Sequence, residues 1–272
     1  MDRVINVGPV YPPYQLDDFQ RCPLYWDLTK RWKPPITKAW TAMVIGNAVA
    51  KGLEANIKGE TKDDSHILAQ KFAVDNYPER ADRSLKGVVE LTRQGVELGL
   101  QTQFSFKEVL SVEEPYGRTR PDLVAYDYDG ALAVWDHKVK VDLDDKFYQK
   151  ELNKYETSNQ FFEYAWIVGA KFGEHVERVY AHIIILGPSP RTVLHPIKMT
   201  REHIRHWLHG ASQDWHRMKA IEQGDAEAES RYTGCQTNYG PCAMHEGCHT
   251  FAGDEAAFPA IYERVTRGKY AR

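Results

Sequence analysis

Apolar and polar positions along this chain change rhythm twice. From Thr37 to Lys58, "TKAWTAMVIGNAVAKGLEANIK" sets apolar residues at Trp40, Val44 and Ala48 and at Met43, Ile45, Val49 and Leu53, the spacing of a helix. Two more helices are expected at about 64–77 and 82–100, after a Pro- and Tyr-rich opening (residues 1–35) with a short helix around Cys22. The rhythm then shortens. "FSFKEVLSVEE", "PDLVAYD", "ALAVWDHKVKV", "ERVYAHIIIL" and "RTVLHPIKM" are β-branched or aromatic runs parted by turn residues, and they read as strands. One long helix at about 146–168 separates the third strand from the fourth, another runs from near Thr200 to Ile221, and a short one near 254–267 closes the chain. Helices, a strand meander, a helix and two more strands predict an α/β domain with one central mixed sheet flanked by helices. No internal repeat or long linker divides it, so residues 1–272 read as a single domain.

Composition changes this picture little: 42% of residues are hydrophobic and 27% charged. A net charge of −3 argues against a surface built wholly for a polyanion, so any such site must be a local patch. The first residues lack a basic start followed by an apolar run, and no stretch reaches the roughly 18 unbroken apolar residues of a membrane span. A cytoplasmic protein with no membrane partner is expected. Its four cysteines are Cys22 and then Cys235, Cys242 and Cys248 in "CQTNYGPCAMHEGC". In such a chain disulfides are the weaker reading, and a metal site closed by both ends of the chain the stronger. Four unrelated thiols are the plain alternative.

The candidate chemistry sits in "RPDLVAYDYDGALAVWDHK", residues 120–138. Each predicted strand carries an acid, Asp122 or Asp136, where burial would favour another Val. Asp129-Gly130 marks a hairpin, and the loop length decides the facing. A two-residue loop would set Asp122 opposite His137. A three-residue loop over Tyr128-Asp129-Gly130, with the glycine left-handed, sets Asp122 opposite Asp136, and is the expected one. Lys138 then shares their face, because side chains alternate. Two carboxylates so close repel unless a cation compensates, which points to Mg²⁺ or Mn²⁺. The backbone carbonyl of His137 can add a ligand, while its side chain points away. Solvated charges on an exposed hairpin are the alternative. In the next helix Gln160 and Tyr164 are spaced i, i+4 on one face, where they can reach a phosphate or the lysine.

These residues resemble the PD-(D/E)XK nuclease superfamily, and within it the RecB-type branch: Pro121-Asp122, Asp136-His137-Lys138 and the Q-x-x-x-Y pair Gln160 and Tyr164 stand in the expected order. "GNAVAKGLE", 46–54, is similar to that branch's first motif, G-x-x-x-H-x-x-L-E. With Cys22-Pro23 and the three late cysteines, the chain resembles the iron–sulfur subgroup, which includes CRISPR-adaptation exonucleases, the AddB nuclease domain and phage relatives. Two departures stand out. The family's histidine, a metal ligand, is Ala50 here, with Glu54 one turn on as the nearest substitute. The late cysteines are parted by six and then five residues rather than as C-x₂-C-x₅-C.

The resemblance implies a restriction-endonuclease-like core and hydrolysis of DNA phosphodiesters, as an exonuclease. Asp122 and Asp136 would hold the cation. Lys138 would orient or deprotonate the attacking water and stabilise developing charge, and Gln160 and Tyr164 would position the strand. Arg118 and Arg120 become candidate DNA-phosphate contacts, or merely a solvated strand entry. Cys22, Cys235, Cys242 and Cys248 would ligate a structural 4Fe–4S cluster, with residues 1–35 and 225–252 forming its lobe. Zinc competes, with His245 and His249 beside the late cysteines. Protein partners in recombination, CRISPR adaptation or phage DNA processing are open. Two other functions are weighed: a DNA-binding or assembly module of this fold that has lost cutting, with Ala50 as its mark, and a zinc-stapled interaction domain.

Overall fold

In the computed structural model, which describes residues 11–33, 41–79, 81–102, 106–143, 145–231, 235–237, 240–244, 248, 255–260 and 263–264, a proline splits the expected helix around Cys22 in two. Pro23 has no N–H to continue a helix and pushes the residue before it out of the helical region. Cys22 is accordingly extended, at φ −162° and ψ 109°, between α1 (Pro13–Arg21) and α2 (Pro23–Arg31). Two residues, Trp32–Lys33, form β1.

The chain divides into two compact units, one made of Thr37–Arg205 and the other of Met1–Ile36 with His206–Arg272. The first opens with α3 (Thr41–Ile57), α4 (Lys62–Asp75) and α5 (Leu85–Gln101). Thr61 and Ser84 cap α4 and α5 by accepting backbone N–H bonds from Asp64 and Gly87. Gly52 lets α3 lie close to both. A Cβ there would stand 2.8 Å from Val96 Cγ2 and 3.0 Å from the carbonyl oxygen of Ser65. The carbonyl belongs to a helix backbone and cannot retreat cheaply, so Gly52→Val should cost about 1–3 kcal/mol. Thermal melts check this: an unchanged midpoint would mean that the three helices are less tightly fitted than they look.

The central sheet has the order β2-β3-β4-β5-β6, built from β2 (Phe106–Val112), β3 (Leu123–Asp127), β4 (Leu132–Val141), β5 (Arg178–Leu186) and β6 (Arg191–Lys198). All neighbours are antiparallel except β4 and β5, which run parallel. A parallel pair needs a crossover, and here it comprises α6 (Asp145–Glu156) and α7 (Asn159–Phe172). The single helix expected at 146–168 is therefore two. Thr157 turns its hydroxyl back onto the carbonyls of Asn153 and Lys154, and the Ser158 carbonyl accepts from Phe161 and Phe162 to start the second helix. On this side Val124, Val134, Phe161, Val168 and Ile183 make the core. On the opposite face α3 and α5 pack through Ile45, Val49, Leu53 and Val96 against Ile184 and Leu186, and α4 joins the same core through Ala69 and Ala73.

The other unit holds α1, α2 and all but the first turn of α8 (Arg201–Gln223). It also has a small hairpin, β7 (Gln236–Thr237) with β8 (Gly240–Pro241). The closing helix expected at 254–267 is a 3₁₀ turn, Glu255–Ala260, with Pro259 inside it. After it β9 (Glu263–Arg264) pairs antiparallel with β1; the remaining parts of that stretch lie outside the described residues. Leu28, Trp32, Met244 and Phe258 form a small core here, with Cys242 and Cys248 packed against it. Among the described residues, no helix is long and apolar enough to cross a membrane.

Candidate active site

The site begins with a turn. Asp127 Oδ1 accepts the N–H groups of Asp129 and Ala131, both at 3.0 Å, and Gly130 adopts φ +78°. An aspartate bonding its own loop, followed by a left-handed glycine, closes a three-residue connection. Arg178 then clamps it by pairing with both Asp127 and Asp129. The pairs Leu123–Trp135 and Tyr126–Leu132 fix the register, and the next pair outward sets Asp122 across from Asp136. This is the register the three-residue loop demands.

At that point β3 ends while β4 runs on to Val141. The edge of β4 would be left with unpaired backbone groups. Asp122 meets part of the need, since its Oδ2 accepts the backbone N–H of His137. The imidazole of His137 points elsewhere, its Nδ1 lying 2.9 Å from Nδ1 of His182. Burial pushes the His137 ring down to about 4, so this pair is neutral at physiological pH.

Asp136 is 3% exposed and acts as a hub. Its Oδ1 accepts from Tyr164 Oη at 3.1 Å and from Gln160 Nε2 at 3.3 Å. Gln160 Nε2 also donates to Tyr164 Oη at 2.6 Å, and Lys138 Nζ donates to Gln160 Oε1 at 2.8 Å. Lys138 Nζ lies 2.7 Å from Asp136 Oδ2, yet that oxygen has no aligned hydrogen bond. The contact is an ion pair that leaves acceptor capacity unused. One ammonium thus faces two carboxylates, the buried Asp136 and the half-buried Asp122. Burial, and next the charge of Asp136, raise the Asp122 carboxyl well above its ordinary range. Burial works against the Lys138 ammonium, but the two aspartates outweigh it and hold its affinity for the proton above normal.

These residues line a cavity of about 500 Å³, together with Met43, Gly46, Asn47 and Ala50 of α3 and with Lys51, Glu113, Arg120 and Lys140. The two sides bring basic and acidic groups together locally, as a chain with net charge −3 would require for a polyanion. Arg120 lines the cavity and pairs with Glu113 at 2.8 Å, whereas Arg118 is exposed and does not line it. Ala50 stands at the cavity wall. Glu54, its suggested substitute, does not line the cavity and is engaged by Lys51 and Lys58. Burial works against its charge, but those lysines hold its carboxyl below the usual range.

Periodicity gave no sign of Glu113, Asn47 or Lys51. The only hint at Glu113 is that an acid ends a strand eight residues before Pro121.

Both sets of donors bear on what they can hold. An Asp136 oxygen without an aligned hydrogen bond, with a second acid beside it, suits a hard cation with oxygen ligands. In the other unit none of the four cysteines is in a disulfide. Cys22 Sγ accepts two backbone N–H bonds, from Tyr25 at 3.5 Å and Arg231 at 3.4 Å. Burial first, and then the other three thiols, push Cys248 up to about 11. Such a gathering suits a thiolate-bound centre chemically. Among the described residues, however, no three Cys, His, Asp or Glu side chains already converge as a metal cage. His245 and His249 lie outside the described residues.

Two acids and a lysine at the open end of a short hairpin, in a mixed sheet covered by helices, define the class. A family model of the PD-(D/E)XK nuclease superfamily matches residues 12–249, and the chain belongs to that superfamily. Among solved structures it is similar to a protein named "Putative exonuclease" from Eubacterium rectale, at 16% identity over 95% of this chain and 90% of that one, with a TM-score of 0.45. It is also similar to SSO0001, at 11% identity over 87% and 95%, with a TM-score of 0.29. No curated protein matches.

Proposed function

We propose that this chain is a divalent-metal-dependent deoxyribonuclease of the RecB-type branch, acting as an exonuclease. The observation that carries the reading is the convergence of Asp122, Asp136 and Lys138 in one cavity, with Gln160 and Tyr164 bonded to the acid and the lysine. Asp122, Asp136 and the His137 carbonyl would hold Mg²⁺ or Mn²⁺. When bound, that ion supplies Lewis acidity toward the scissile phosphate. Lys138 keeps an ammonium beside the position where negative charge grows on the phosphate. Gln160 fixes the lysine head, and Tyr164 fixes the carboxylate it pairs with, so neither has to reorganise as the reaction proceeds. Arg120, at the cavity wall, meets a neighbouring phosphate; Arg118, exposed on the approach, meets the strand further out.

End-labelled single- and double-stranded DNA incubated with the anaerobically purified protein and Mn²⁺ tests this. Stepwise shortening from an end is expected, and none with EDTA. Internal cuts would replace the exonuclease mode with an endonuclease one. DNA retained but uncut would favour the second reading, a binding or assembly module. Ala50 at the wall, with Glu54 drawn off by lysines, is the observation on that side.

We also propose that Cys22, Cys235, Cys242 and Cys248 ligate a structural 4Fe–4S cluster. Support comes from four reduced thiols grouped closely enough that the neighbouring thiols, after burial, help push Cys242 and Cys248 up, and from the two N–H groups turned to Cys22 Sγ. Protein purified without air should be brown, with broad visible absorption that Cys242→Ser removes. A colourless preparation carrying zinc would assign the thiols to Zn²⁺ instead.

A further inference from the structure

Glu113 is the one residue of the cavity whose backbone is unusual. It has φ +56°, a region that side chains other than glycine's rarely occupy and that costs on the order of 1–3 kcal/mol. The conformation is fixed by its own N–H, which donates to the carbonyl oxygen of Asp122 at 3.0 Å. The first acid and Glu113 are therefore tied together through the backbone. Its side chain is 11% exposed, lines the same cavity, and pairs through Oε2 with Arg120 Nε at 2.8 Å. That arginine is different in kind: its side chain is 59% exposed. One partner is held and the other is free to leave.

The cavity itself asks for positive charge. Asp136 Oδ2 is buried and lacks an aligned hydrogen bond, although an ammonium is near. After Asp136, Glu113 is the carboxylate whose charge is felt at Asp122. Three acids then surround a space in which Lys138 and Arg120 are the counter-charges paired with them.

We propose that Glu113 is a third carboxylate of the divalent-cation site, and that Arg120 occupies it as an exchangeable counter-ion until cation and phosphate arrive. On entry of the cation, Glu113 turns to it, directly or through water. Arg120 is released to the phosphate that enters with the cation. This fits the finding that, among the described residues, no three acids already converge as a cage although Asp122, Asp136 and Glu113 all line the cavity. It also supplies a carboxylate where Ala50 cannot contribute a ligand. The exchange couples the two ligands: cation binding frees the arginine that grips DNA, and DNA draws away the arginine that competes with the cation. The inference rests on the cation-dependent nuclease reading above.

Mn²⁺ binding to the intact chain without DNA, followed by electron paramagnetic resonance of the free ion, tests it. Glu113→Gln should weaken Mn²⁺ binding about tenfold or more. Arg120→Gln should tighten it severalfold, because a competitor is gone. The double variant should bind like Glu113→Gln alone, since without the carboxylate the arginine has nothing to block. With Ca²⁺ in place of Mn²⁺, Arg120→Gln should weaken DNA retention. Wild-type protein that binds no Mn²⁺ would sink the underlying nuclease reading. Wild-type binding that Glu113→Gln leaves unchanged would overturn this inference alone. The same holds if Arg120→Gln tightens binding equally in both backgrounds, as removal of a bare positive charge would do. Should Glu113→Gln fail to fold, Arg120→Gln decides by itself, and unaltered or weaker Mn²⁺ binding refutes the exchange.

Discussion

Asp136→Asn and Lys138→Met should each reduce Mn²⁺-dependent DNA cleavage by at least about 10²–10³-fold, the scale on which a single pre-set charge at a reacting group counts. Their stabilities should diverge. Two carboxylates share one ammonium at the heart of the site. Asn at 136 leaves Asp122 and Lys138 as a balanced pair and keeps the side-chain volume, so this variant should melt at or above the wild type. Met at 138 leaves the buried Asp136 and the half-buried Asp122 facing each other with no ammonium between them. Losing one partner of a buried pair costs about 3–5 kcal/mol. Its melting point should fall at pH 7 and recover when Mn²⁺ is added. Cleavage assays and calorimetry on the same preparations check both halves. Full cleavage by either variant would remove the assigned chemistry, and equal destabilisation by both would mean that the acids do not repel in the folded chain.

The second large effect is away from the chemistry. Glu163 of α7 is fully buried, neither carboxyl oxygen has a hydrogen-bond partner among the described residues, and burial pushes its pKa up to about 8. The unfolded chain releases this proton near 4.5. Below that value both states hold the proton, and the group is neutral to stability. Between there and pH 8 only the unfolded state ionises, so stability falls as pH rises, and the loss is complete above pH 8. At about 1.4 kcal/mol for each tenfold change in proton affinity, the penalty is on the order of a few kcal/mol. Glu163→Gln cannot ionise. It should be clearly more stable than the wild type at pH 8.5 and nearly equal at pH 5, as read from urea midpoints. A gap independent of pH would show that a cation or water satisfies the carboxylate.

The chain's own letters foretold some of this better than others. Asp129-Gly130 and the alternation around it were enough to put Asp122 across from Asp136, because a loop of known length leaves a strand no freedom of facing. Gln160 and Tyr164 were legible as one helical face for the same reason. The helix that carries them was not delimited, because Thr157 turns its hydroxyl onto backbone carbonyls and Ser158 starts a new helix while the apolar spacing continues across the gap. Pro23 was visible, yet the apolar residues on both sides of it read as one helix around Cys22. Glu113 was the hardest case. Its place depends on a left-handed backbone and on a hydrogen bond to Asp122 across the sheet, neither of which leaves a trace in local periodicity. The partner of His137 was equally hidden, since His182 comes from a strand 45 residues on.

The mismatch in length between β3 and β4 has a cost and a use. A sheet selected only for cohesion would have continued the shorter ribbon alongside its neighbour, closing every amide and sealing the gap with aliphatic side chains. Such a variant would be sturdier and inert. Extending the ribbon with Val in place of Pro121 and Asp122 is therefore a route to a hardened, silent scaffold, and reactivity here is the price of two strands that finish at different places.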